Sequence, residues 1–472
     1  MTLDLLQFHQ SLDPTRPLAI DNAQDRQYYI DFSSVRGENL IQALRDKIVL
    51  FSRGKPTCQL FTGHIGCGKS TELLVLKTLL QKANFHVVYF ESNQYLEMGD
   101  VDISDILLSI ARQVLDSLQE NPIDEPRGLK KILVGAANLL QTELDIAAEA
   151  TLPGIGSLSA STDGDFSLDA GIPGLAQVSA NSEDGISLVA LGIGKLTAKT
   201  KNSPDLRSKL RQYLEPRTAS LIDIINQELL QPADSHLKRQ GKEGLVVIVD
   251  NLDRVETILR TWGRPQPEYL FVDRGEQLRQ LHCHMVYTIP LGLIFSNDYG
   301  RLTERFSIDP KVLPMIPVRD RNNNPCHQGM ALLRQLILAR AFPHIPPEQR
   351  LHLIPEIFDS PTSLDRLCHI SGGHVRELLR LLNEWIEKER QLPLSRAGLE
   401  RAIRSRCNQM QLSVDTPEQT LLQQVQTTQE VRGHQGYEVL IRSRFVYEYR
   451  DPQGSWFAIN PILAETQPTA PS

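Results

Sequence analysis

The stretch CQLFTGHIGCGKSTELLVL, residues 58–76, runs from a short apolar segment through a glycine-rich turn into a helical pattern. Gly63, His64, Ile65, Gly66, Cys67, Gly68, Lys69 and Ser70 match G-x-x-x-x-G-K-[ST], and the flanking strand and helix are the setting that pattern needs. The glycines let the backbone turn tightly, so that successive N–H groups point inward at phosphate oxygens. The helix that follows adds the positive end of its dipole. In this reading Lys69 reaches the β- and γ-phosphates, and the Ser70 hydroxyl ligates Mg2+. Thr71 completes the set of nucleotide-contacting candidates, although it and Glu72 also read as ordinary first-turn residues.

A phosphate loop also needs a carboxylate at the end of a neighbouring strand, to hold the metal through water. LVVIVDNLDR, residues 245–254, supplies Asp250 after five apolar residues. Two roles stay open for Asp253. It orients the attacking water if the turn brings it back toward the γ-phosphate, or it caps the next helix. The cofactors expected are ATP and Mg2+.

With GHIGCGKS and LVVIVDNLDR in place, the chain resembles the AAA+ P-loop ATPases, specifically the origin-recognition and initiator-like branch, with kinship to STAND and KAP-type NTPases. The residue after the magnesium Asp is commonly an acid in those families, and Asn251 stands there in this chain. The resemblance therefore implies either that Asp253 substitutes as base, or that hydrolysis is slow and the protein acts as a nucleotide-gated switch. It places Thr288 at the sensor position ending the 284–289 segment. Arg305, with Arg301 near it, takes the place of an arginine finger directed at a neighbouring subunit's nucleotide. In ISGGHVREL, residues 370–378, Arg376 matches the second sensor. In FSSVRGE, residues 32–38, Val35 matches the residue over adenine; alternatively Arg36 and Glu38 simply begin a helix running to Ile48.

The fold expected is α/β, with a parallel sheet core, a helical lid and a C-terminal winged-helix-like domain. Apolar runs at 58–62, 86–90, 245–249, 284–289 and 312–318 suit strands buried on both faces, and helical patterns at 70–83 and 103–118 lie between them. The boundaries read as an N-terminal segment 1–30, an ATPase core 31–320, a helical domain 321–412 and a winged-helix-like domain with tail 413–472. Within the core, 152–204 is crowded with Gly, Ser, Ala and Asp and reads as an insertion. Its GLAQVSA and ISLVALGIGKLTA pieces alternate apolar and small residues, which suits short hairpins or disorder equally. Toward the end of the chain, a helix, the turn RGHQG and a second helix precede FVYEYR and WFAINP, which are joined by DPQGS as a hairpin.

At 472 residues the chain exceeds one compact core. Its net charge of −7 opposes a surface that grips nucleic acid over its whole extent. The arginines 396, 401, 404, 406, 442, 444 and 450 leave open a local DNA contact, and a winged helix serves protein partners as well. The expected partners are thus ATP, further copies of the chain, and DNA or protein at the C-terminal domain. No apolar run reaches membrane-spanning length, and the first residues lack a signal pattern, so the expected location is the cytoplasm without a membrane partner. Six scattered cysteines fit reduced thiols. The alternation of His282, Cys283 and His284 on a strand turns their side chains to opposite faces and argues against a metal site.

Overall fold

The computed structural model describes residues 3–120, 122–149, 187–261, 263–431 and 436–465, with 141–149 described as backbone only. Among these, five strands are ordered β2-β3-β4-β1-β5: β1 Cys58–Gly63, β2 His86–Glu91, β3 Leu245–Asp250, β4 His284–Thr288 and β5 Lys311–Leu313. The registers are parallel for β2 with β3, β3 with β4 and β1 with β5. Every residue of β3 and β4 is buried, as continuous apolar runs in a sheet covered on both faces require. This is the α/β parallel-sheet architecture with surrounding helices.

Backbone contacts divide the chain into two compact units. One comprises Met1–Phe51, Gln59–Lys82 and Thr288–Ser472; the other comprises Ser52–Cys58 and Ala83–Tyr287. In the first unit, β1 leads through the glycine-rich turn into the helix Lys69–Lys82, which buries Leu73, Leu76 and Leu80 along one stripe. Helices His327–Ala341, Pro361–Ile370, Val375–Glu389 and Arg396–Gln411 share a hydrophobic cluster that includes Leu333, Leu364, Leu382 and Leu399. The N-terminal helix Leu5–Ser11 joins it through Phe8, and Leu12 follows. Helices Thr416–Thr428 and Tyr437–Arg442 precede an antiparallel hairpin, β6 Val446–Asp451 with β7 Gly454–Ile459. The end of the RGHQG turn is Gly436; its first four residues lie outside the described residues.

Two expectations are corrected. The run 312–318 forms a strand only over Lys311–Leu313. Pro314 and Pro317 have no N–H to give a ladder, and the Met315 N–H donates instead to the Glu448 carbonyl at 2.9 Å. In the second unit, the described part of ISLVALGIGKLTA is not a hairpin but the helix Leu188–Lys201. Among its buried residues, Val189, Ile193, Leu196 and Thr200 recur at helical spacing, which prevails over the apolar/small alternation. Ser187 caps it through Ala190, and the Glu125 carboxylate accepts from the N–H groups of Leu188 and Val189. GLAQVSA lies outside the described residues. No helix among the described residues is long and apolar enough to cross a membrane, and the six cysteines are free thiols.

If Leu188–Lys201 is a packed helix, Ile193→Ala should lower the unfolding free energy by about 2–4 kcal/mol. Urea denaturation measures this; a change within about 0.5 kcal/mol, as for an exposed site, would contradict the burial.

Candidate functional site

The turn after β1 is built on three glycines with left-handed backbone, Gly63 at φ 152°, Gly66 at 93° and Gly68 at 108°. Their reasons differ. A Cβ on Gly63 would stand 2.6 Å from the Leu313 carbonyl of β5, and one on Gly66 would stand 2.7 Å from the His374 ring. Gly68 has nothing within 4 Å of that position and needs only its φ. The main-chain N–H groups of Ile65, Gly66 and Gly68 donate to no acceptor within the described residues, while the buried Lys69 ammonium donates to the carbonyls of Gly63 and His64 at 2.7 and 2.9 Å. N–H groups without acceptors among the described residues, one ammonium and a helix N-terminus make a donor set suited to oxyanions.

This turn is held by the C-terminal part of its own unit. His64 is buried, and its Nε2 accepts from the Glu448 N–H at 3.0 Å. That bond places the ring proton on Nδ1, which has no hydrogen-bond partner among the described residues. His374 caps the helix Val375–Glu389, its Nδ1 accepting from the Glu377 N–H at 3.0 Å, and its Nε2–H donates to the Ile65 carbonyl at 2.9 Å. Tyr447 lies stacked on His374 and edge-on to His64. Burial, with neighbouring positive charge, drives His64 well below the usual imidazole range, and burial lowers His374 to about 4. Both rings are therefore neutral at physiological pH and act as hydrogen-bonding struts. The Glu448 carboxyl, also buried, accepts from the Ser455 hydroxyl at 2.8 Å and is pushed up to about 7 by desolvation.

Arg36 lies on the other flank. Its guanidinium donates to the Cys67 carbonyl at 2.7 Å and stands 3.5 Å from the Glu72 carboxylate, both side chains being buried. Arg36 and Glu38 do not begin a helix: the turn Ser33–Val35 ends before Arg36, and Asn39 caps the helix Leu40–Val49. Glu72 is thus a buried ion-pair partner rather than an ordinary first-turn residue, with burial raising and Arg36 lowering its pKa. The Thr71 hydroxyl accepts from the Leu18 N–H at 3.1 Å. The Arg376 N–H donates to the Gly66 carbonyl and its Nε to the Pro14 carbonyl, each at 3.1 Å. Val35 is buried in the hydrophobic cluster of the helices. Thr288 is buried at the end of β4, Arg305 is exposed at the end of the helix Tyr299–Phe306, and Arg301 pairs with Asp298 at 3.1 Å.

In the second unit, Asp250 ends β3 fully buried. Its Oδ2 accepts from the Tyr89 hydroxyl at 2.8 Å and its Oδ1 from the Asn251 N–H at 2.7 Å. The β2–β3 register aligns Tyr89 with Ile248, so Tyr89 and Asp250 point to the same face. Asn251 is left-handed at φ 64°, and its amide donates to Asn93. Asp253 caps no helix; it sits buried within the short 3-10 turn Leu252–Arg254. His282 bonds Gln231 and His284 bonds Thr57 through ring nitrogens, and the Cys283 thiol lies against the Met285 sulfur.

Sequence reasoning missed Arg36, Tyr89 and the structural use of His64 and His374. Helix-capping chemistry at the GGH turn carried a signal for His374. Arg36 and Tyr89 carry none, since each acts on residues distant along the chain.

No family model and no curated protein sequence matches this chain. Among solved structures it is similar to a chain of the Drosophila ORC bound to DNA, at 12% identity and TM-score 0.36, covering 98% of this chain and 91% of that one. It is also similar to the ORC2 protein of Aeropyrum pernix, solved as ADPNP–ADP complexes, at 11% identity and TM-score 0.35, covering 96% and 94%. Both overlaps are loose and carry no inference about activity.

Glu448→Gln keeps an acceptor for Ser455 and removes the ionisation. Between pH 4.5 and about 7 the unfolded wild-type chain releases this proton while the folded chain keeps it, so the wild type loses stability as pH rises through that window. The slope is about 1.4 kcal/mol per pH unit. Urea unfolding should therefore show the variant gaining on the wild type from pH 5 to pH 8. A difference that stays constant with pH would mean that Glu448 ionises freely in the folded protein.

Proposed function

We propose that the chain is an ATP-binding P-loop ATPase of the AAA+ type that acts as a nucleotide-dependent switch, with slow turnover. The observation that carries this reading is the turn 63–68, with its left-handed glycines, its N–H groups without acceptors among the described residues, and the Lys69 ammonium bound to the loop's own carbonyls. Those carbonyl contacts keep Lys69 over the loop that would cradle the β- and γ-phosphates. In this reading Ser70 would ligate Mg2+ and Asp250 would hold it through water. When bound, the ion neutralises charge on the β- and γ-phosphate oxygens.

The chain's own groups divide the work. Lys69 and the loop amides bind and orient the triphosphate. Asp250, fixed by the Tyr89 hydroxyl and the Asn251 N–H, offers its carboxylate in one orientation. Asp253 is the candidate base, because the residue after Asp250 is Asn251, whose amide cannot accept a proton. Thr288 would contact the γ-phosphate or attacking water, Arg376 would reach back to the nucleotide and Val35 would lie near adenine. Arg305, exposed near its helix end, would complete a neighbouring copy's site, which makes self-assembly part of the reading.

A DNA-binding adaptor that uses the C-terminal helices and hairpin draws less support. Of the arginines in that region, Arg396 pairs with Glu400, Arg401 with Glu389, Arg406 with Glu377 and Arg450 with Glu38, so their charge is largely spent within the chain.

Nucleotide titration and ATP turnover on the full chain test the proposal. Lys69→Ala should lose nucleotide affinity and Asp250→Ala magnesium-dependent turnover, each by about 100-fold, whereas Asp253→Ala should bind normally and turn over more slowly than the wild type. Absence of any magnesium-dependent affinity in the wild type would overturn the reading, and normal turnover in Asp253→Ala would remove the base assignment alone.

A further inference from the structure

Behind the helix Val375–Glu389, the first unit contains a cavity of about 230 Å3, lined in part by Glu377, Arg406, Gln409, Ser413, Ser443 and Arg444. We propose that it is a second anion site, separate from the phosphate loop, for a small phosphate-type oxyanion.

Charge comes first. Arg406 grips Glu377 with two hydrogen bonds, Nε to Oε1 at 2.6 Å and Nη2 to Oε2 at 3.2 Å, with Glu377 buried and Arg406 partly so, and this pair cancels. Arg444 is half-buried and its guanidinium has no carboxylate or carbonyl partner among the described residues. Among the described lining residues Glu377 is the only acid, so they carry one positive charge in excess.

Hydrogen-bonding capacity points the same way. The hydroxyls of Ser413 and Ser443 and the side-chain amide of Gln409 make no hydrogen bond within the described residues. Together with the Arg444 guanidinium they form a set of neutral and cationic donors around one space. Such a set suits a tetrahedral oxyanion with several acceptor atoms better than a planar carboxylate, which Glu377 already supplies to Arg406. The floor is buried Met410, Phe445 and Asn460, while Gln409 and Ser413 are exposed at the mouth.

The frame around Arg444 is rigid. Arg444 follows the helix Tyr437–Arg442 at φ 62°, in the position where the chain turns left-handed to end a helix. The Asn460 amide donates to the Arg444 carbonyl at 3.0 Å and to the Tyr447 hydroxyl at 2.8 Å, so its donors serve the frame rather than a ligand. The site also shares the first turn of the helix Val375–Glu389 with the phosphate loop: Glu377 donates its N–H to His374, which donates to Ile65. An anion that draws on Arg406 would thus act on a residue two hydrogen bonds from the loop.

The experiment is calorimetric titration of the full chain with pyrophosphate and with inorganic phosphate, in the Lys69→Ala background, so that the phosphate loop does not contribute. Binding to one site should persist in Lys69→Ala and raise its melting temperature, while sodium chloride at equal ionic strength should not. Adding Arg444→Gln should weaken binding about tenfold or more, and Arg444→Lys should recover part of it. Gln409→Ala with Ser413→Ala, at the exposed mouth where folding is not at stake, should weaken it severalfold. Loss of all binding with Lys69→Ala alone would overturn the proposal, as would binding that neither Arg444→Gln nor the mouth variant alters. Because the phosphate loop is disabled throughout, failure here leaves the ATPase reading intact, and failure of ATP binding leaves this site intact.

Discussion

The hydrogen bond from the Glu448 main chain to the His64 ring fixes the glycine-rich turn to a strand 384 residues further along. A loop of three left-handed glycines is entropically expensive to order, because glycine loses more freedom on folding than any other residue. The turn holds its shape through contacts on several sides. His64 meets β6, Ile65 and Gly66 meet the start of the helix Val375–Glu389, Gly63 abuts β5, and Cys67 meets Arg36.

Most of these contacts engage main-chain carbonyls of the turn, those of Ile65, Gly66 and Cys67, while the His64 ring and the bare glycines at 63 and 66 make residue identity matter there. They also leave the N–H groups of Ile65, Gly66 and Gly68 without acceptors among the described residues. Preorganisation of this kind matters for an anion site, since donors already fixed in place cost no reordering when the charge arrives. The buried groups behind the turn follow the same economy. His64 and His374 are neutral, Glu448 keeps its proton near neutrality, and the charged pair Arg36–Glu72 is the exception that stands on mutual attraction.

Much of the sheet was legible in the sequence, because apolar runs such as LVVIVD have one physical interpretation when bounded by polar turns. The turn 63–70 and Asp250 were legible for a related reason: their chemistry constrains residue type and spacing locally. Elsewhere local pattern misled. ISLVALGIGKLTA carries both a period-2 and a helical pattern, and packing of Val189, Ile193, Leu196 and Thr200 selected the helix. Arg396, Arg401, Arg406 and Arg450 read as part of a basic stretch, and the structure pairs each with a carboxylate, Glu400, Glu389, Glu377 and Glu38 respectively. Arg36 read as a helix start and is a buried brace on Cys67.

The amino-acid sequence by itself determined the strand–turn–helix around Lys69 and the acid ending β3, since backbone sterics and apolar patterning act over a few neighbouring residues. Tertiary structure alone decided what braces that turn and which arginines after residue 395 meet a carboxylate. Those properties depend on which distant groups share a low-dielectric interior, and no interval of the chain shorter than the whole fold specifies that.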